Sequence, residues 1–163
     1  MPQHTKVLIT GVTGLIGGTI LQNLEYDYNL TGLDLQPCHN TKQYQGNIAN
    51  LESILPAFKG QEMVVHLAAD SSQNSSWESV LPNNIIGTYN VFEACRINDV
   101  KRVIFASSNH TTGMYERDHP NHHIIKGEYN KVDLSSITQI SHKSDIRPDG
   151  YYGISKASGE AMG

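Results

Sequence analysis

The chain has 163 residues, 38% hydrophobic and 17% charged, enough for one domain with a real core. Its net charge of −4 gives no electrostatic reason to expect nucleic acid or an anionic membrane as partner. No apolar stretch approaches the roughly 20 residues of a membrane span, and the polar start Met1–Lys6 before a short Val7–Thr10 lacks the apolar core of a signal peptide. Cys38 and Cys95 are two and far apart, which reads as reduced thiols in a cytoplasmic protein.

Lys6-Val-Leu-Ile-Thr10 is a short β-branched run that a glycine turn closes, the pattern of a buried parallel strand. Leu15, Ile16, Ile20, Leu21 and Leu24 then recur at helical spacing. Leu30–Asp34 reads as a second strand ending in an acid, and the polar stretch Gln36–Gly46 has room for one short strand. Asn50 is placed to cap a helix carrying Leu51, Ile54, Leu55 and Phe58, which Gly60 ends. Met63–Leu67 is the next apolar strand, a long helical pattern runs from about Pro82 to Asn98, and Arg102–Ala106 is another buried strand. Strand alternates with helix throughout, which predicts a parallel sheet with helices on both faces.

From 116 to 145 the pattern weakens into a polar, histidine-rich stretch. A loop of that length is uncommon inside a compact domain and is often functional, so it reads as an insertion over the active-site face. His119, His122 and His123 invite a metal hypothesis, but no cysteine or regular carboxylate spacing accompanies them. They read as solvated loop histidines, and no metal is expected.

Two motifs carry chemistry. Gly11-Val-Thr-Gly14-Leu-Ile-Gly17 follows a strand and opens a helix, the context in which such a loop cradles a dinucleotide pyrophosphate on a helix N-terminus. Gly11, Thr13, Gly14, Leu15, Ile16 and Gly17 are its candidate contacts. Asp34 stands near the expected separation of about 20 residues, where a carboxylate accepts from a ribose 2′-OH and repels a 2′-phosphate, which favours NAD over NADP. The second motif is Tyr152-Gly-Ile-Ser-Lys156. Residues four apart on a helix face the same way. A tyrosine is a poor base near neutrality, and a neighbouring ammonium favours its phenolate. Tyr151 has Ser155 as its four-on partner, which supplies no charge, so Tyr152 and Lys156 are the expected catalytic pair.

The spacing Gly-x-x-Gly-x-x-Gly resembles that of the extended short-chain dehydrogenase/reductases, and the resemblance continues along the chain. His66-Leu-Ala-Ala69 looks like that family's strand end against the cofactor, which implicates Leu67, Ala68 and Ala69. Asn84-Ile-Ile-Gly-Thr-Tyr-Asn90 resembles its central helix motif through Asn84. Asn47-Ile48 stands where the family usually has an aspartate for the adenine amino group. Phe105-Ala-Ser-Ser108 matches the strand end that delivers the catalytic serine, here Ser108 with Ser107 as neighbour, and Tyr152–Lys156 matches the catalytic pair. Most epimerases and dehydratases of the family continue from the serine toward Val-Tyr-Gly. The run Ala-Ser-Ser-Asn109-His110, with Arg147-Pro-Asp-Gly-Tyr-Tyr-Gly, is most similar to the uronate dehydrogenase branch.

That branch implies an NAD-dependent oxidoreductase that converts the C1 hydroxyl of a uronic acid or aldose to a lactone. Ser71, Ser108, Asn109 and His110 would touch the sugar, although Asn109 and His110 also read as loop-capping residues. An NAD-retaining nucleotide-sugar epimerase or dehydratase and a non-catalytic NAD-binding unit stay open as alternatives. The expected architecture is a Rossmann-type, doubly wound α/β domain over 1–163. Extended members continue past the tyrosine helix, so the sheet is expected to lack C-terminal strands and a substrate-binding portion. The uncovered edge then favours a homo-oligomer.

Overall fold

The structure is a computed structural model and describes residues 4–38, 41–137 and 139–163. Five strands form one parallel sheet: β1 (Lys6–Thr10), β2 (Asn29–Asp34), β3 (Lys42–Gln45), β4 (Met63–His66) and β5 (Arg102–Phe105), in the spatial order β3-β2-β1-β4-β5. The order reverses between β1 and β4, and the crevice at the carboxyl ends of the strands lies there.

The period-two alternation of β1 divides the core between the sheet faces. Leu8 is in register with Val64, and both belong to a cluster with Leu33, Ile54, Phe58, Val91 and Ala94. That cluster is covered by α2 (Leu51–Phe58) and α4 (Gly87–Ile97). Ile9 is in register with Val65, and both belong to the opposite cluster with Val7, Val12, Leu30 and Leu21 of α1 (Leu15–Leu24). The predicted cap of α2 is present, with Asn50 Oδ1 accepting from Ser53 N at 3.2 Å. Gly60, just past that helix, has φ +73. The short strand expected within 36–46 is β3.

The helix expected from Pro82 begins earlier. It runs as α3 (Trp77–Val80), a π-helical turn (Leu81–Ile86) and α4. Proline has no N–H and marks a first helical turn in sequence, which hid the preceding turn. The widened turn closes with Gly87 N donating to Pro82 O and Asn84 O.

After β5, residues Asn109–Arg117 form a 3-10 helix. The 116–145 stretch holds α5 (Asn121–Ile125) and two further 3-10 turns, Tyr129–Lys131 and Leu134–Ser136. None of its described residues lines the main cleft. α6 (Tyr151–Met162) closes the described chain, and its glycines allow close seating. A Cβ at Gly159 would stand 2.3 Å from the Phe105 ring. No helix among the described residues is long and apolar enough to cross a membrane.

Candidate active site

A cleft of about 670 Å³ opens at the carboxyl ends of the strands. Gly11, Thr13, Gly14, Leu15, Ile16 and Gly17 line it from the β1–α1 turn. This turn is tight enough to exclude side chains. Gly11 has φ +77, and a Cβ there would lie 2.8 Å from Ala68 N. A Cβ at Gly17 would lie 2.4 Å from the Gly11 carbonyl oxygen. No side chain caps α1 at Gly14, so the N-terminal amides of that helix are open to an anionic ligand. Asp34, at the end of β2, accepts from Thr13 N at 3.0 Å and from Gln36 N at 3.2 Å. The carboxylate is thereby tied to the glycine turn and still borders the cleft.

Asn47 and Ile48 line the cleft after β3. Asn47 Oδ1 accepts from Ala49 N at 2.9 Å, and the Ile48 carbonyl accepts from Asn90 Nδ2 at 2.8 Å. Leu67, Ala68, Ala69 and Ser71 line it beyond β4. Their backbone is set by a buried network that the sequence motif did not expose. Thr10 Oγ1 accepts from Leu67 N and Ala68 N, each at 3.2 Å, so both its lone pairs are engaged. Its single proton then goes to His66 Nδ1 at 2.7 Å, leaving Nε2–H to donate to Thr88 Oγ1 at 3.1 Å. Burial, aided by the nearby charge of Lys156, pushes the His66 pKa down to about 3. The imidazole is a neutral crosslink between β1, β4 and α4.

Asn84 is placed differently from an ordinary lining residue. It is 2% exposed and stands behind the cleft wall. Its Oδ1 accepts from Asp70 N at 2.7 Å, and its Nδ2 donates to Asp70 O at 2.9 Å and Ser155 Oγ at 3.1 Å. Ser155 Oγ in turn donates to the Tyr152 carbonyl at 2.7 Å. Asn84 therefore sets the register of α6 against the loop after β4.

Tyr152 and Lys156 reach the cleft from α6. Lys156 is 5% exposed, and its Nζ donates to Ala106 O at 2.7 Å. The ammonium sits 5.6 Å from the Tyr152 ring centroid and 4.9 Å from that of Phe105. Burial lowers the Lys156 pKa to about 8.

The two serines after β5 separate. Ser107 lines the cleft, and its hydroxyl is bonded to the Glu160 carboxylate. Ser108 caps the 3-10 helix, its Oγ accepting from His110 N at 3.2 Å, and it lies outside the lining. Asn109 and His110 are also outside the lining. His110 nevertheless adjoins Tyr152, edge-on with ring centroids 5.6 Å apart. Its Nδ1 is 2.6 Å from Asp149 Oδ2. Nothing local to Asp149 in sequence announces a partner 39 residues away. Gly113 makes the approach possible, since a Cβ there would fall 2.2 Å from Asp149 Oδ2.

Both cysteines are free, and burial pushes the Cys95 thiol up to about 12. His119, His122 and His123, read from sequence as solvated loop histidines, bring three ring nitrogens within 4.8 Å of one another.

The sequence signature of the NAD dependent epimerase/dehydratase family matches residues 7–163. An L-arabinose 1-dehydrogenase (NAD(P)(+)) from Haloferax volcanii is 33% identical over 97% of this chain and 59% of its own length. A uronate dehydrogenase from Pseudomonas putida is 30% identical over 95% of this chain and 53% of its own. Among solved structures, a mutant uronate dehydrogenase from Agrobacterium tumefaciens complexed with NAD superimposes with a TM-score of 0.76 at 28% identity. That match covers 97% of this chain and 54% of the other. The chain thus spans a little over half the length of these relatives.

Proposed function

The chain belongs to the NAD dependent epimerase/dehydratase family, and on that premise we propose that it carries the dinucleotide site and proton-transfer group of an NAD-dependent sugar dehydrogenase, one that oxidises the C1 hydroxyl of a uronic acid or aldose to a lactone. The observation that carries the reading is convergence. Tyr152 and Lys156 line the same cleft as the glycine turn and Asp34. The cradle suits the dinucleotide, because a Cβ at Gly11 or Gly17 would strike backbone and the α1 amides are uncapped. The sugar-dehydrogenase branch is supported by relatives named for arabinose, glucose 6-phosphate and uronate.

Gly11 to Gly17 would hold the pyrophosphate, Asp34 the adenosine ribose hydroxyls, and Lys156 the nicotinamide ribose. Bound NAD supplies the hydride acceptor. Tyr152 Oη takes the proton of the C1 hydroxyl as the C1 hydrogen leaves with its electron pair, and the Lys156 ammonium stabilises the phenolate form that does so. Ser71 would touch the sugar from the cleft lining, and Ser108, Asn109 and His110, which lie outside that lining, would serve the reacting oxygen and the sugar from its rim. Asp149 keeps the His110 ring in place.

The test follows NADH absorbance with NAD and a panel of uronic acids, L-arabinose and glucose 6-phosphate. NADH formation with one or more sugars is expected. Sugar conversion without net NADH would transfer the chain to the epimerase or dehydratase reading. NAD binding with no sugar turned over would leave a binding unit and remove the catalytic proposal.

A further inference from the structure

Residues 118–131 hold a cluster of side chains away from the cleft. His119, His122 and His123 each offer a ring nitrogen, and these three atoms lie within 4.8 Å of one another. His122 and His123 stand on α5, and His119 lies on the turn that leads into it. Ring centroids are 5.7 Å apart for His119–His122, 5.6 Å for His119–His123 and 3.9 Å for His122–His123.

The hydrogen bonds decide which nitrogens remain. His123 Nδ1 is 2.8 Å from Glu128 Oε2, and His122 Nδ1 makes a longer contact of 3.4 Å to the Asp118 carbonyl oxygen. Both partners are pure acceptors, so each Nδ1 is the donor and Nε2 is the nitrogen left for a ligand. A ring whose far N–H is held by a carboxylate or carbonyl is the outer-shell arrangement of histidine metal ligands. Glu128 is itself steadied by Lys131 Nζ at 3.1 Å.

We propose that His119, His122 and His123 bind one divalent transition-metal ion of the zinc type, with Glu128 as the carboxylate that orients His123 and water in the open position. An all-imidazole set suits zinc and its neighbours over calcium or magnesium. Zinc–nitrogen bonds of about 2.0–2.1 Å put tetrahedral ligand atoms about 3.4 Å apart. Small rotations of these partly exposed rings close the remaining distance. The ion joins α5 to the turn that holds His119, just after the 3-10 helix of residues 109–117, and that helix meets α5 through Asn121 Nδ2 donating to Tyr115 O at 3.0 Å.

Calorimetric titration of the chain with zinc chloride should show one site. Joint replacement His122→Ala and His123→Ala should abolish it. Glu128→Gln, which keeps all three imidazoles, should weaken it by about 10- to 100-fold. His142→Ala, an exposed histidine outside the cluster, should leave it unchanged. NAD affinity measured in parallel reports whether each variant is folded. On the unaltered chain, zinc should protect His119, His122 and His123 from carbethoxylation while His142 stays reactive. Unchanged zinc binding in the folded double variant, or no selective protection in the native chain, overturns the proposal.

Discussion

The Lys156 ammonium donates to the carbonyl of Ala106 across 2.7 Å, which fixes α6 against the end of β5 and holds the charge 5.6 Å from the Tyr152 ring. That placement makes the tyrosine hydroxyl the proton acceptor of the proposed reaction. Tyr152→Phe keeps the ring against His110 and removes only the hydroxyl. Sugar oxidation should fall by about 10²- to 10⁴-fold, while NAD affinity measured by fluorescence titration should be nearly unchanged. Retained turnover would remove Tyr152 from the proton path.

Asp34 is held toward the glycine turn by Thr13 N. Asp34→Ala deletes a ribose acceptor and a charge that repels a 2′-phosphate. The ratio of NADP to NAD affinity should rise by about tenfold, the equivalent of one charge-assisted hydrogen bond. Separate binding titrations with the two dinucleotides would show it, and an unchanged ratio would place the ribose elsewhere.

Gly17→Ala tests the cradle more severely. Its Cβ would meet the Gly11 carbonyl oxygen at 2.4 Å and Val12 Cα at 2.8 Å, both backbone, so α1 must shift away from β1. Loss of NAD binding by at least about tenfold, together with a lowered thermal midpoint, is the expected result. Binding at the wild-type level would show that the turn tolerates the shift.

His66 predicts an acid-sensitive fold. Its folded pKa of about 3 lies below the ordinary 6.5. Between those values the unfolded chain binds a proton that the native chain refuses. Its stabilising contribution is therefore present above about 6.5 and lost as pH falls toward 3. The slope from this residue is at most about 1.4 kcal/mol per pH unit. Urea midpoints at several values in that window should fall more steeply for the wild type than for His66→Gln. Parallel slopes would mean that the histidine is not buried neutral.

Much of this architecture is written in local spacing. The β-branched run Lys6–Thr10, the glycines that follow and the 3.6-residue recurrence of Leu21 and Leu24 require only near neighbours to be read, because burial of one face dictates the repeat. Asn50 was legible as a cap because its hydrogen bond closes three residues away. The π-helical turn was not. Pro82 reads as a beginning, and only the packing of Asn84 against Asp70 and Ser155 shows why the helix widens there.

The sequence by itself determined the chemical inventory: a glycine turn, an acid at the end of β2, and a tyrosine with a lysine one helical turn on. Each depends on residues close in the chain, where backbone geometry leaves few choices. The tertiary structure alone decided which atoms of that inventory meet. It put Ser107 on the cleft and made Ser108 a cap. It placed Asp149 on His110, fixed the tautomer of His66 through Thr10 and Thr88, and gathered three loop histidines into one cluster. Apart from the Ser108 cap and the histidine cluster, these are contacts between residues distant in sequence. Hydrogen-bond completion and close packing select them only once the strands and helices stand side by side.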